Sequence, residues 1–182
     1  MSDADDNAIL QVRNLHVRFE RDEGTVRAVN GMDLTVPTGG AVGIVGESGC
    51  GKTISAYAML GILPKTAGIP AGRVDFRRGD GSTVDLAGLN PDGRAMRSIR
   101  GAEIAMIFQE PMTAFSPVHT ICNQISEAIL LHLGGTKARA RQRVIELLGM
   151  VGIADPASRA DAYPFELSGG MRQRAMIAMA LA

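Results

Sequence analysis

Apolar and polar positions change rhythm three times along this chain. Between residues 9 and 19, Leu15, Val17 and Phe19 alternate with polar neighbours, the period of a half-buried strand. Residues 26–29 and 32–36 share that texture and predict two further short strands. Residues 41–45 are apolar without alternation, as in a strand covered on both faces in a parallel sheet. A helix is predicted over 52–63 and stopped by Pro64. Residues 73–76 and 83–86 flank Gly79-Asp80-Gly81-Ser82, which reads as a β-hairpin. Asn90-Pro91-Asp92-Gly93 is a turn, a short basic helix runs on to Arg100, and 104–108 is a second buried-strand run. After Gln109 the period becomes helical. Residues 120–133 and 137–150 predict amphipathic helices separated by Gly134-Gly135, with Val144, Leu147, Leu148 and Val151 at helical spacing. Residues 170–182, rich in Ala and Met, predict a last helix. The order implies an α/β fold: a disordered polar tail over 1–8, a β-rich core over 9–108 and a helical lobe over 109–182.

Composition narrows this only in places. The 182 residues are enough for one domain with one sizeable core, and 46% apolar residues with 22 glycines suit an α/β domain with tight loops. Lys plus Arg and Asp plus Glu both number 19, so no global field favours nucleic acid, and no nucleic-acid partner is expected. Cys50 and Cys122 make no disulfide framework and read as reduced thiols. The N-terminus is acidic and polar, unlike a signal peptide, and no stretch reaches the roughly 18 apolar residues of a membrane span. Arg94, Arg97 and Arg100, like Lys137, Arg139, Arg141 and Arg143, read as solvated helix faces.

Chemistry enters at Gly46-Glu47-Ser48-Gly49-Cys50-Gly51-Lys52-Thr53. This matches G-x-x-x-x-G-K-[ST], between a predicted buried strand and a predicted helix, the context that makes the pattern specific. Glycines let the backbone curl closely around a ligand. Its N–H groups then form a nest at the positive end of a helix. Lys52 supplies charge for β- and γ-phosphates, and the Thr53 hydroxyl is a Mg²⁺ ligand. The expected cofactors are ATP and Mg²⁺. Cys50 occupies a free position of the pattern, where a small side chain fits.

A second anion site is predicted at Leu167-Ser168-Gly169-Gly170-Met171-Arg172-Gln173-Arg174. Ser168 is a natural N-cap, and the N–H groups after it point outward from a helix start.

Together, these motifs resemble those of ABC-type ATPases, and LSGGMRQR resembles that family's signature motif. The resemblance runs from about Ile9 to the end and implies a P-loop NTPase core with an N-terminal antiparallel β part and a helical lobe. It implies a head-to-tail dimer with a second ABC ATPase subunit, identical or homologous. Ser168, Gly169, Gly170 and Gln173 would then meet ATP held by the partner's phosphate loop. By the same resemblance Gln109 reaches Mg²⁺ and the attacking water, so Lys52 and Gln109 are the catalytic candidates and Thr53 and Gln109 the metal candidates. A neutral amide can orient water and ligate a metal without adding charge. The loop after Gln109, Glu110-Pro111-Met112-Thr113-Ala114-Phe115-Ser116-Pro117, is stiffened by two prolines and would dock on membrane-embedded permease subunits. Phe19 stands where the family places an aromatic under the adenine, though an ordinary core phenylalanine reads equally well.

The phrases Arg100-Gly101 through Ile107-Phe108-Gln109-Glu110-Pro111-Met112-Thr113, and Tyr163-Pro164-Phe165-Glu166-Leu167-Ser168, resemble importers of dipeptides, oligopeptides and nickel. That group more often has Asp at the place of Glu110 and His at that of Phe165. The resemblance implies a transport ATPase on the cytoplasmic face of the plasma membrane. Alternatives are a soluble ABC-type ATPase of repair or translation, or a non-catalytic nucleotide-binding fragment. A kinase or GTPase is disfavoured because no Asn-Lys-x-Asp motif appears.

Such an ATPase also needs an Asp closing a second buried strand, a Glu directly after it and a later His. In the family all three follow the signature helix, and here no apolar run ends in Asp-Glu. His16, His119 and His132 all precede the signature. The expectation is a domain lacking the last part of its central sheet, weakly stable and unable by itself to turn over ATP.

Overall fold

The computed structural model describes residues 7–110 and 114–182. They form two compact units, Met1–Glu103 and Ile104–Ala182, each with its own packing.

The first unit is built on an antiparallel sheet of order β2-β1-β3-β4. Strands β1 (Ala8–Arg21) and β2 (Gly24–Pro37) make one long hairpin, and β1 pairs on its other edge with β3 (Ala67–Arg77). The short β4 (Thr83–Asp85) pairs with β3 through Asp75↔Asp85, Phe76↔Val84 and Arg77↔Thr83, so the predicted hairpin is present. Alternation, shifted once by an irregularity between Val12 and Leu15, drives the layer: Val12, Leu15 and Val17 of β1 and Val74 and Phe76 of β3 are buried. The two strands predicted over 26–29 and 32–36 are one. Asn30 pairs with His16 and Met32 with Leu15, leaving Gly31 as the extra residue of a bulge rather than a turn. The strand begins at Ala8, and Asn7 already accepts two hydrogen bonds from Thr38, so order starts inside the stretch expected to be a tail; residues 1–6 lie outside the described set.

Helix α1 (Lys52–Met59) lies against β1 and β2 and is shorter than expected. Leu60 caps it, and Gly61 at φ +61° turns the chain away before Pro64 is reached. Helix α2 (Arg94–Ile99) follows the predicted turn and buries Met96 and Ile99. Arg100 is no solvated residue. Its guanidinium donates to the carbonyls of Leu60, Gly61 and Pro91 at 3.1 Å each, tying α2 to the end of α1.

Two strand expectations fail. Residues 41–45 are exposed and unpaired, with Val45 97% exposed, and 104–108 carries only an isolated bridge at Ile104. A continuous apolar run becomes a buried strand only when neighbours hydrogen-bond to both edges. No such neighbour flanks either run among the described residues.

The second unit is helical: α3 (Ile121–His132), α4 (Lys137–Met150), α5 (Pro156–Ala160) and α6 (Gly169–Ala180). Its three longer helices open on a side-chain cap. Thr120 accepts from Asn123 N–H, Thr136 from Arg139 N–H and Ser168 from Met171 N–H. Ile121, Ile125 and Ile129 of α3 meet Ala140, Val144, Leu147 and Leu148 of α4, and Ala175, Met176 and Ala178 of α6 complete the core. Burying each large aliphatic side chain contributes about 1.5–3 kcal/mol.

Candidate functional site

The phosphate-loop residues sit in the first unit, between the exposed run 41–45 and α1. Lys52 curls back over the loop, and its Nζ donates to the carbonyls of Gly46 at 2.6 Å and Glu47 at 2.8 Å and to Cys50 Sγ at 3.4 Å. Gly46, Glu47, Cys50 and Lys52 are thereby brought together into one turn, closed by Cys50 N–H donating to Glu47 carbonyl at 3.3 Å. A Cβ on Gly46 would stand 2.6 Å from Cys50 Sγ. Gly51 has φ +94°, and a Cβ there would stand 2.5 Å from the Ala28 carbonyl oxygen. At Gly51 the backbone contact and the left-handed φ exclude a larger residue, whereas at Gly46 the Cys50 thiol would have to turn aside. Glu47, Ser48, Gly49, Cys50 and Thr53 are exposed. The Thr53 hydroxyl, one residue into α1, has no hydrogen-bond partner among the described residues.

This geometry fits a nucleotide phosphate with a divalent cation. The loop is narrow where a Cβ would fill it, carries one ammonium at its mouth and opens onto a helix N-terminus with a free hydroxyl. Ser55, buried one turn later, donates its hydroxyl to the Gly51 carbonyl at 3.0 Å and steadies the loop from behind. Sequence reading passed over Ser55, and its small size within the helix was the available signal.

Phe19 lies near the end of β1, paired with Val26 and Ala67, and is half-buried. That placement suits a stacking platform and a sheet residue equally.

Gln109 and the signature belong to the second unit. Gln109 is exposed at a bend. Of the loop after it, Pro111, Met112 and Thr113 lie outside the described residues, while Phe115 is 5% exposed and part of the helical core. Phe115 therefore belongs to the helical core and is not itself an exposed contact of that loop.

Ser168, Gly169, Gly170 and Gln173 are all exposed at the start of α6. Ser168 Oγ accepts from Met171 N–H at 3.3 Å, so the hydroxyl and the first N–H groups of the helix share one surface. The helix is fixed behind them. Leu167 is buried, and Arg174 donates to the Gly152 carbonyl at 2.8 Å, bonding α6 to the turn after α4. The result is a rigid helix N-terminus offered to solvent.

The ABC transporter family profile matches residues 29–182. A probable peptide ABC transporter ATP-binding protein of Sinorhizobium fredii is 49% identical over 175 residues, covering 96% of this chain and 50% of that protein. The dipeptide transport ATP-binding protein DppD of Escherichia coli is 47% identical over 175 residues, covering 96% and 51%. The chain thus spans about half the length of these curated relatives. Among solved structures, the dimeric MJ0796 ABC transporter cassette superposes with a TM-score of 0.79 at 24% identity, covering 95% of this chain and 69% of that one. A post-hydrolysis state of the same cassette, bound to ADP and Pi, gives the same TM-score. With a mixed α/β fold, a phosphate loop leading into a helix and a serine-capped signature helix, the chain belongs to the ATP-binding proteins of the ABC transporter family.

Proposed function

We propose that these residues form the nucleotide-binding part of an ATPase that powers a peptide importer. The loop over 46–53 holds the phosphates of ATP, with Lys52 on the β- and γ-phosphates and Thr53 on Mg²⁺. Gln109 orients water and completes the metal's coordination. Ser168, Gly169, Gly170 and Gln173 serve a nucleotide held by a second ATP-binding subunit. The observation that carries this reading is the position of Lys52, folded over a glycine-lined turn at the start of α1. The peptide substrate is supported by the names of the relatives, which are peptide and dipeptide transport ATP-binding proteins.

No helix among the described residues is long and apolar enough to cross a membrane. The relatives' description as transport ATP-binding proteins supports a place at the cytoplasmic face of a membrane through permease subunits, with the loop after Gln109 as the contact. These 182 residues are assigned nucleotide binding and presentation of the signature helix.

The test is nucleotide binding by Lys52→Ala. A hydrogen bond involving a charged group is worth about 1.5–3 kcal/mol, so ATP affinity should fall about tenfold to a hundredfold. A fluorescent ATP analogue titrated against both proteins reads this directly. Equal affinity would overturn the assignment of the loop.

A further inference from the structure

Two aromatic rings stand in water just ahead of the signature. Tyr163 and Phe165 are 39% and 64% exposed, yet they stack on each other with centroids 5.4 Å apart and planes 8° from parallel. The backbone beneath them is held at several points. Tyr163 N–H donates to the Glu166 carboxylate at 2.6 Å, Glu166 N–H returns to the Tyr163 carbonyl at 3.0 Å, and Leu167 N–H donates to the Pro164 carbonyl at 3.3 Å. Pro164 and Leu167 are buried on either side of the exposed Phe165. The pair is therefore presented in a fixed pose, and covering it would cost little ordering entropy.

Exposed, pre-ordered aromatic residues are the usual anchors of a protein interface. The question is what covers these. Phe165 precedes Ser168 by three residues, so their Cα atoms lie at most about 11 Å apart. A standard interface buries about 800 Å² per partner, a patch with a radius of roughly 16 Å. A partner of that size centred on the exposed helix start at Ser168 reaches far enough to cover Phe165.

We propose that the Tyr163–Phe165 stack is an anchor for the nucleotide-loaded phosphate-loop face of a second ATP-binding subunit. This rests on the reading that the signature serves a second subunit's nucleotide, and it adds an apolar anchor to a contact otherwise made by serine and backbone N–H groups. Phe165 is the dominant ring because it is the more exposed. Tyr163 backs it and keeps it upright.

The sequence contains no tryptophan, so Phe165→Trp places a reporter at the anchor, read against the same full chain without the substitution. With the partner subunit present, adding ATP should shift its emission to the blue as the ring is covered. In parallel, Phe165→Ala should weaken ATP-dependent association of the subunits about tenfold by sedimentation, and Phe165→Leu, which keeps the apolar bulk, should lose less. An unmoved emission and unchanged association, with the unsubstituted subunits still associating on ATP, would overturn the anchor and leave the proposed function standing. A blue emission in the assembled transporter before ATP is added would assign the ring to the permease instead and also overturn it. Failure of the unsubstituted subunits to associate on ATP would overturn the proposed function and the anchor with it.

Discussion

Ser168 has two tasks in this structure, and two substitutions separate them. Its hydroxyl caps α6 by accepting from Met171 N–H at 3.3 Å, and it stands on the surface assigned to a partner's phosphate. Ser168→Ala removes both. Losing an N-cap costs about 0.5–2 kcal/mol, and this bond is at the long end of the usual range, so the expected loss is about 0.5–1 kcal/mol. For a unit as small as the helical one, that lowers Tm by about 2–8 °C. Ser168→Asp removes only the second task. Aspartate caps as well as serine, and its charge at the helix N-terminus adds about 0.3–1 kcal/mol. Its Tm should therefore match or exceed that of the unsubstituted chain. A carboxylate facing a phosphate is repulsive, so ATP-dependent association should still fall at least about tenfold. Thermal unfolding by circular dichroism and association by sedimentation give the two readouts. If Ser168→Asp melts as low as Ser168→Ala, the cap has been misjudged. If it associates as well as the unsubstituted chain, no phosphate meets this helix start.

The phosphate loop can be probed at two glycines that differ in their surroundings. Gly51→Ala places a methyl 2.5 Å from a backbone oxygen of β2, whereas Gly49→Ala at φ +84° meets nothing within 4 Å. Gly49→Ala should carry only the left-handed cost of about 1–2 kcal/mol, and Gly51→Ala should lose distinctly more stability together with most nucleotide binding; equal denaturation midpoints would contradict this. Acid sensitivity should trace in part to Glu103. The Arg78 guanidinium, through hydrogen bonds at 2.9 and 2.6 Å, holds its carboxyl below the usual glutamate range, with the Gly79 N–H assisting. A folded pKa below the unfolded one contributes stability that is present above the unfolded value and lost as pH falls through the folded one. Glu103→Gln should thus flatten the fall of Tm below about pH 4.5, and an unchanged acid limb would refute the role.

The parts of this fold legible in the sequence are those whose cause is local. Thr136 and Ser168 sit where a cap must sit, the helix after Thr136 keeps an apolar stripe and the one after Ser168 is rich in Ala and Met, so their limits come out nearly to the residue. The phosphate loop is legible for the same reason: Gly46 and Gly51 answer to atoms within the loop or directly beneath it, and Gly49 to its own left-handed φ. Arg100 was not legible, because three arginines at helical spacing look alike until the end of α1 arrives to take the hydrogen bonds of one of them. The two strands expected over 26–29 and 32–36 are one because the pairing of β2 with β1 on both sides of Gly31 absorbs it as an extra residue.

Runs 41–45 and 104–108 carry the lesson furthest. Their composition is that of strands buried in a parallel sheet, but a strand is a property of a pair of segments, and hydrogen-bonded neighbours decide whether it exists. The same run that reads as the most buried in the sequence includes Val45, the most exposed large apolar residue of the chain among those described. Exposed apolar backbone next to a phosphate loop is costly unless something pairs with it. Sequence texture therefore reports what a segment needs from its surroundings. The structure shows which of those needs these residues meet: the helical core, the antiparallel sheet and the turn around Lys52 are satisfied from within, and the strand pairing of runs 41–45 and 104–108 is not formed among the described residues.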